Sequence, residues 1–406
     1  MIRGFVVACA AFAAVMGAAL WSVPARAQLN PVPMVTADPE HLNPGFASDP
    51  YGAITSTREL IAEGKMNEAI KHLETYVTAH PMEPGPRRFL GDLYFRTGQL
   101  ERAKFTYEEL LRENPADKET HNRLGTVLAV QNDVDAAIDQ FNKALPGTDS
   151  VDDLVALHTR KGDLATYLTE IDRLSKQYPT DPAIQGEVGQ VFNALHQPYP
   201  ASVHFRQALD GDPKNLTAIN GLGLSLLMMH DYAGAVQQFT TCMGIDPYTY
   251  QCQNNLAATE LESRQMDKAK VALDKAFHLA PERAETFVNY GFLADMQGDW
   301  QKAVSYYAQS IQMFPYLRES YIDLALAYEE HKMYPLAQAA LIKGIASVND
   351  DGRMHCLLGK AYEAQGDRRD AMTQYKLAEA GTDPDAARIA KAQVTDISSD
   401  GKQPQE

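Results

Sequence analysis

The chain has 406 residues, 45% of them apolar and 22% charged, and its formal net charge is −16. That length is too great for one compact core, and the composition argues against disorder throughout. There is no long basic run to displace counterions from phosphates, so nucleic acid and anionic lipid are poor partners, while basic peptides and proteins suit an acidic chain.

The first predicted element is a leader. It has Arg3, an apolar stretch from Phe5 to Trp21, and then Ala25-Arg26-Ala27. A charged start, a hydrophobic segment and a small-x-small site predict a secretory signal over residues 1–27, cut after Ala27, in a bacterial periplasmic or secreted protein. The alternative is an uncleaved anchor, because the stretch is close to the length that spans a bilayer. Val6-Val7-Ala8-Cys9 has the look of a lipoprotein box, but the hydrophobic stretch continues beyond it, which argues against lipidation. Residues 28–50 carry Pro31, Pro33, Pro39, Pro44 and Pro50 and read as an extended spacer or a disordered mature N-terminus.

From residue 51 onward the chain repeats. In GDLYFRTGQLERAKFTYEELLRENP, Gly91, Ala103 and Pro115 stand twelve residues apart, and Gly223, Ala235, Pro247 and Gly291, Ala303, Pro315 repeat the triplet. The first position recurs every 34 residues as Gly189, Gly223, Ala257, Gly291, Ala325 and Gly359. Within a unit the apolar residues keep helical spacing: Leu90, Leu93 and Tyr94 share one face before Gly98, and Tyr107, Leu110 and Leu111 share one after it. Each unit therefore reads as helix, tight turn, helix, with a proline as the stop. The small residues belong where the two helices cross most closely. Ala69, Ala103, Ala137, Ala201, Ala235, Ala269, Ala303, Ala337 and Ala371 hold the second of those positions, and an aromatic residue or leucine follows four residues later.

This pattern resembles the tetratricopeptide repeat family over roughly residues 51–384. The resemblance implies an all-α, right-handed superhelical solenoid of about ten helix-turn-helix repeats. The first copy has Thr57 where a small residue belongs and reads as a cap. A degenerate repeat lies near 148–181: Lys118 to Pro182 is four residues short of two periods, so a full first helix does not fit there, and the superhelix should kink. Residues 385–398 read as a capping helix and 399–406 as a disordered tail.

Chemistry is absent from the pattern. There is no zinc-protease His pair, no phosphate-binding glycine loop and no nucleophile elbow, and the eleven His show no metal-ligand spacing. Glu329 and Glu330 are adjacent on a helix and point about 100° apart, which suits a solvated or groove-lining role rather than an acid–base pair. No catalytic residue, metal or cofactor is expected. Cys242 ends one unit and Cys252 opens the next, and the turn at Asp246-Pro247 brings these ends together at a separation that suits a disulfide. The other reading has both as small core residues, since Cys242 holds a position usually given to alanine. Cys356 reads as buried.

Members of the family bind peptides on the concave surface lined by first helices. Carried over position by position, the resemblance implies Thr217, Asn220, Leu224, Leu227 and Met228 in the sixth unit, and Gln251, Asn254, Leu261 and Glu262 in the seventh. The eighth supplies Glu285, Val288, Phe292, Asp295 and Met296, and the ninth Glu319, Ile322, Leu326, Glu329 and Glu330. Such a groove has an apolar floor and one acidic flank, favouring a ligand with apolar side chains and Lys or Arg. Asn220 and Asn254 suit a peptide backbone. Against this, any one of the leucines can pack between units without reaching solvent. The family's carboxylate clamp is absent, because the matching positions are Asn220, Leu224, Asn254 and Ala258. The expectation is a non-catalytic periplasmic scaffold for secretion, pilus or polysaccharide-export assembly, the alternative being an adaptor anchored in the inner membrane by its leader.

Overall fold

A computed structural model describes residues 49–145, 150–348, 352–381 and 383–400. The leader, nearly all of the spacer and residues 401–406 lie outside them. Among the described residues there are 21 α-helices and no strand. They pair in order as ten hairpins, units one to ten: α1 (Asp49–Ala62) with α2 (Met66–Ala79), α3 (Pro84–Arg96) with α4 (Leu100–Glu113), α5 (Lys118–Val130) with α6 (Val134–Ala144), α7 (Val151–Lys161) with α8 (Leu164–Gln177), and α9 (Pro182–Ala194) with α10 (Pro198–Gly211). The second half follows as α11 (Leu216–Met228) with α12 (Tyr232–Ile245), α13 (Tyr250–Glu262) with α14 (Met266–Leu279), α15 (Ala284–Met296) with α16 (Trp300–Met313), α17 (Arg318–Glu330) with α18 (Tyr334–Ser347), and α19 (Arg353–Ala364) with α20 (Arg368–Glu379). A last helix, α21 (Pro384–Asp400), lies on unit ten, burying Ala386 and Ala390 beside Tyr375 and Ala378, and it runs two residues past its expected end at Ser398. No helix among the described residues is long and apolar enough to cross a membrane.

Local chemistry sets the hairpin ends. Asp133, Asp231, Asp299 and Asp367 cap second helices by accepting a backbone N–H of the first turn. The hairpin turns take positive φ at one register, as Gly64, Gly98, Gly298 and Gly366, and equally as Asn132, His196, His230, Arg264 and Lys332. Glycine makes that conformation easy, but here the packed hairpin imposes it on other residues too.

The small residues stand where the helices touch, for a specific reason. A ring from the second helix lies on the bare Cα of the first: a Cβ added at Gly91 would sit 2.6 Å from Tyr107 Cε1, and one at Gly291 would sit 2.4 Å from Tyr307 Cε1. Gly125 meets Phe141, Gly189 meets Phe205, Gly223 meets Phe239 and Gly359 meets Tyr375 in the same way. Phe205 also reaches Gly221 of the next unit, so this ring joins neighbours. Where the first position is Ala257 or Ala325, the second helix carries Leu273 or Leu341 in place of a ring, both buried. Total volume at the crossing is thus conserved.

Unit four has a shortened first helix in place of a full one. It is shortened to 11 residues in α7, against 13 in α3 or α9, and α6 before it also has 11 where most other second helices have 14. Gly162, at φ +82°, closes a shorter turn. The shortening falls on two helices and a turn, and the hairpin survives with the least contact to its neighbours.

Consecutive turns of the coil touch. Arg58 on α1 pairs with Glu282 at the entry to α15, and Phe95 at the end of α3 packs on Phe314 and Tyr316 before α17. One apolar cluster therefore contains residues of units one to four together with residues of units seven to ten.

Candidate partner-binding wall

First helices line the inner side of the coil, and the expected site residues recur on them at 34-residue intervals. The structure divides them into two groups. Asn220, Leu224, Met228, Glu262, Phe292, Asp295, Met296, Leu326 and Glu329 are half-buried, as is Thr217, and Glu330 is exposed. Leu227, Gln251, Asn254, Leu261, Glu285, Val288, Glu319 and Ile322 are buried by the chain itself. For Leu227, Leu261 and Val288, each 1% exposed or less, the floor expected from sequence is interior packing.

The two asparagines have their carbonyl oxygens engaged. Asn255 Nδ2 donates to Asn220 Oδ1 at 2.9 Å, and Asn289 Nδ2 donates to Asn254 Oδ1 at 3.1 Å. Ser225 Oγ donates to Asn193 Oδ1 at 2.9 Å, and Asn193 Nδ2 donates to the Gly221 carbonyl at 3.0 Å. Side-chain hydrogen bonds thus run from unit five to unit eight, each pairing residues of successive first helices. They hold the register of the wall, since a buried amide left unbonded is costly. Asn193, Ser225, Asn255 and Asn289 were missed from sequence, although Asn255 and Asn289 stand 34 residues apart.

The acids of the wall differ in environment. Asp295 Oδ2 accepts from Tyr307 Oη at 2.7 Å, which ties it to the hairpin crossing. Burial pushes the Glu329 carboxyl up, with Lys360 opposing. Burial likewise raises Glu319, against the pull of Arg318 and Arg353. Glu282, not expected from sequence, behaves oppositely. Burial alone would raise it, but the charge and hydrogen bonds of Arg58, with Arg283 and Arg96 behind, hold it down at about 2.

The inner side of units two and three is rich in arginine. Arg123 Nε donates to Asp92 Oδ1 at 2.7 Å, with Tyr107 Oη donating to the same oxygen, and Arg88 pairs with Asp117 at 2.6 Å.

Cys242 and Cys252 form a disulfide with Cα atoms 6.3 Å apart, joining α12 to α13. Cys356 is fully buried. Among the described residues no group of three or more His, Cys, Asp or Glu is placed to hold a metal ion. A groove of about 610 Å³ on the first hairpin, between Leu60, His72, Tyr76 and His80, contains none of the expected wall residues. What the inner surface offers chemically is non-covalent recognition: apolar side chains, carboxylates and amides held in a fixed row.

A family model described as a tetratricopeptide repeat matches residues 90–152. The tetratricopeptide repeat-containing protein trd-1 of Caenorhabditis elegans is 21% identical over 222 residues, covering 55% of this chain and 24% of its own length. The BBSome complex member BBS4 of Bos taurus is 23% identical over 153 residues, covering 38% of this chain and 29% of its own. The chain therefore spans only about a quarter of these relatives. The crystal structure of yeast Tom70 is similar at 12% identity with a TM-score of 0.47, over 87% of this chain and 96% of that one.

Proposed function

Because the chain is a tetratricopeptide repeat protein, we propose that it is a non-catalytic scaffold holding a protein or peptide partner on the inner wall of units six to nine. The observation that carries this reading is the half-buried strip of Leu224, Met228, Phe292, Met296 and Leu326 beside Glu262, Asp295 and Glu329. Apolar side chains that are neither fully packed nor scattered suit an adaptable contact, and methionine is well fitted to it. The adjoining carboxylates favour Lys or Arg in the partner and disfavour nucleic acid.

The compartment we propose is the bacterial periplasm or the secreted fraction. Supporting it are the leader pattern ending at Ala27 and the Cys242–Cys252 disulfide, a bond that persists in oxidising compartments. A role in secretion, pilus or polysaccharide-export assembly fits such a scaffold. The length of the apolar run from Phe5 to Trp21 favours a second reading, an adaptor anchored in the inner membrane, and N-terminal sequencing of the mature protein separates the two.

The experiment on the wall pairs a crosslinked pull-down from the envelope with the double variant Phe292→Asp, Leu326→Asp. Both side chains are half-buried, so the variant should keep its helical circular dichroism and lose the partner that the parent captures. Undiminished capture would exclude the wall as the binding surface.

A further inference from the structure

The contacts between consecutive turns of the coil join residues that the repeat alone does not bring together. Arg58 reaches Glu282, 224 residues further on, through Nη2 to Oε1 at 2.9 Å and Nε to both carboxylate oxygens at 3.3 Å. The two side chains are 15% and 5% exposed. Arg96 donates to the Glu282 carbonyl at 3.2 Å and lies over the Phe314 ring, 5.5 Å from its centre. Phe95 packs on Phe314 at 5.3 Å and stacks on Tyr316 at 5.7 Å with planes 15° apart. The C-terminal ends of α1 and α3 therefore form one edge, the entries to α15 and α17 form the other, and the two are fastened by charge and aromatic contact.

We propose that this seam is a clasp that sets the pitch of the coil and closes the inner wall of unit eight, so that Glu285 and Val288 become available only when it opens.

Two opposed terms make it a device rather than plain packing. An ion pair with this little water holds firmly while intact, because parting it strands a buried charge. At the seam itself, Arg96 Nε and the neighbouring Glu285 Oε2 are buried with no hydrogen-bond partner, and opening would return both to water. The closed state is thus held by few side chains and opposed by others close to them. The inference stands independently of what the wall binds.

The test uses the full chain with its disulfide intact. Arg58→Glu sets like charges against each other at Glu282, and Phe314→Ala removes the aromatic half. Each variant should keep the parental helical circular dichroism while its radius of gyration by small-angle scattering rises. Backbone amides at the start of α15 should exchange faster, on the order of a hundredfold for Arg58→Glu. Parental scattering and exchange in both variants would overturn the clasp. So would whole-array melting by both Arg58→Glu and the milder Arg58→Gln, since the seam would then be part of the common core.

Discussion

Substituting Gly291 by alanine adds one methyl group, and the structure states what it meets. The new carbon would stand 2.4 Å from Tyr307 Cε1, 2.7 Å from Cδ1 and 2.8 Å from Cζ. The ring cannot swing away, because it is fully buried and its hydroxyl is bound to Asp295 at 2.7 Å. Forcing a methyl into a packed core costs about 1–3 kcal/mol. Replacing a mid-helix glycine returns about 1 kcal/mol of helix propensity, which leaves a net loss of about 1 kcal/mol. Gly244 on α12 is the internal control: nothing lies within 4 Å of an added Cβ, so Gly244→Ala should stabilise by about 0.5–1 kcal/mol. The two variants should therefore move in opposite directions and differ by about 2 kcal/mol. Hydrogen exchange in α15 and α16 is the assay of choice alongside urea titration, because repeat arrays open in parts. Adding Tyr307→Leu should recover much of the Gly291→Ala loss, since the chain itself pairs Ala257 with Leu273 and Ala325 with Leu341. Equal stabilisation by both glycine replacements would refute the ring-on-glycine account.

Reducing the disulfide, or Cys252→Ser, should lower the stability of units six and seven by about 2–3 kcal/mol, read as a urea midpoint shift that dithiothreitol reproduces only in the parent. Burial raises the Glu187 carboxyl to about 7, Lys118 opposing, so the folded state favours its protonated form. Stability should therefore improve as pH falls from above 7 toward 4.5, and Glu187→Gln should stabilise by up to about 3 kcal/mol at pH 8 and little at pH 4.5, by denaturant titration at each pH. Glu282 has the opposite sign: its stabilisation is full above the ordinary carboxylate range and is lost as pH drops toward 2, so scattering should show the coil loosening in that window in the parent and not in Glu282→Gln.

The hairpins were legible because they repeat. Gly91 and Ala103 mark helix contact at a fixed interval, and the aromatic after each alanine locates the ring, so period and crossing follow from the residues alone. What the interval did not reveal is compensation, in which glycine goes with a ring and alanine with leucine. The expected wall was half legible. Register placed Leu224, Phe292 and Leu326 on the inner side but could not tell that Leu227, Leu261 and Val288 are covered, because covering depends on how tightly the coil winds. The Arg58–Glu282 contact was illegible for the same reason: its partners lie 224 residues apart at different places in their units. The hairpin turns at His230, Arg264 and Lys332 also lacked a signal, since the conformation is imposed by packing rather than favoured by the residue.

The shortened helices around unit four have a consequence for cooperativity. In a linear stack, order spreads only as far as each neighbour supports the next, and α7 and α8 offer the least support. Melting should accordingly start there and leave two blocks, one on either side of Gly162. Those blocks also touch elsewhere, through Arg58 and Glu282, so the molecule is topologically a loop with one frail link. A protease cut at that link would leave two fragments that still travel together until acid parts them.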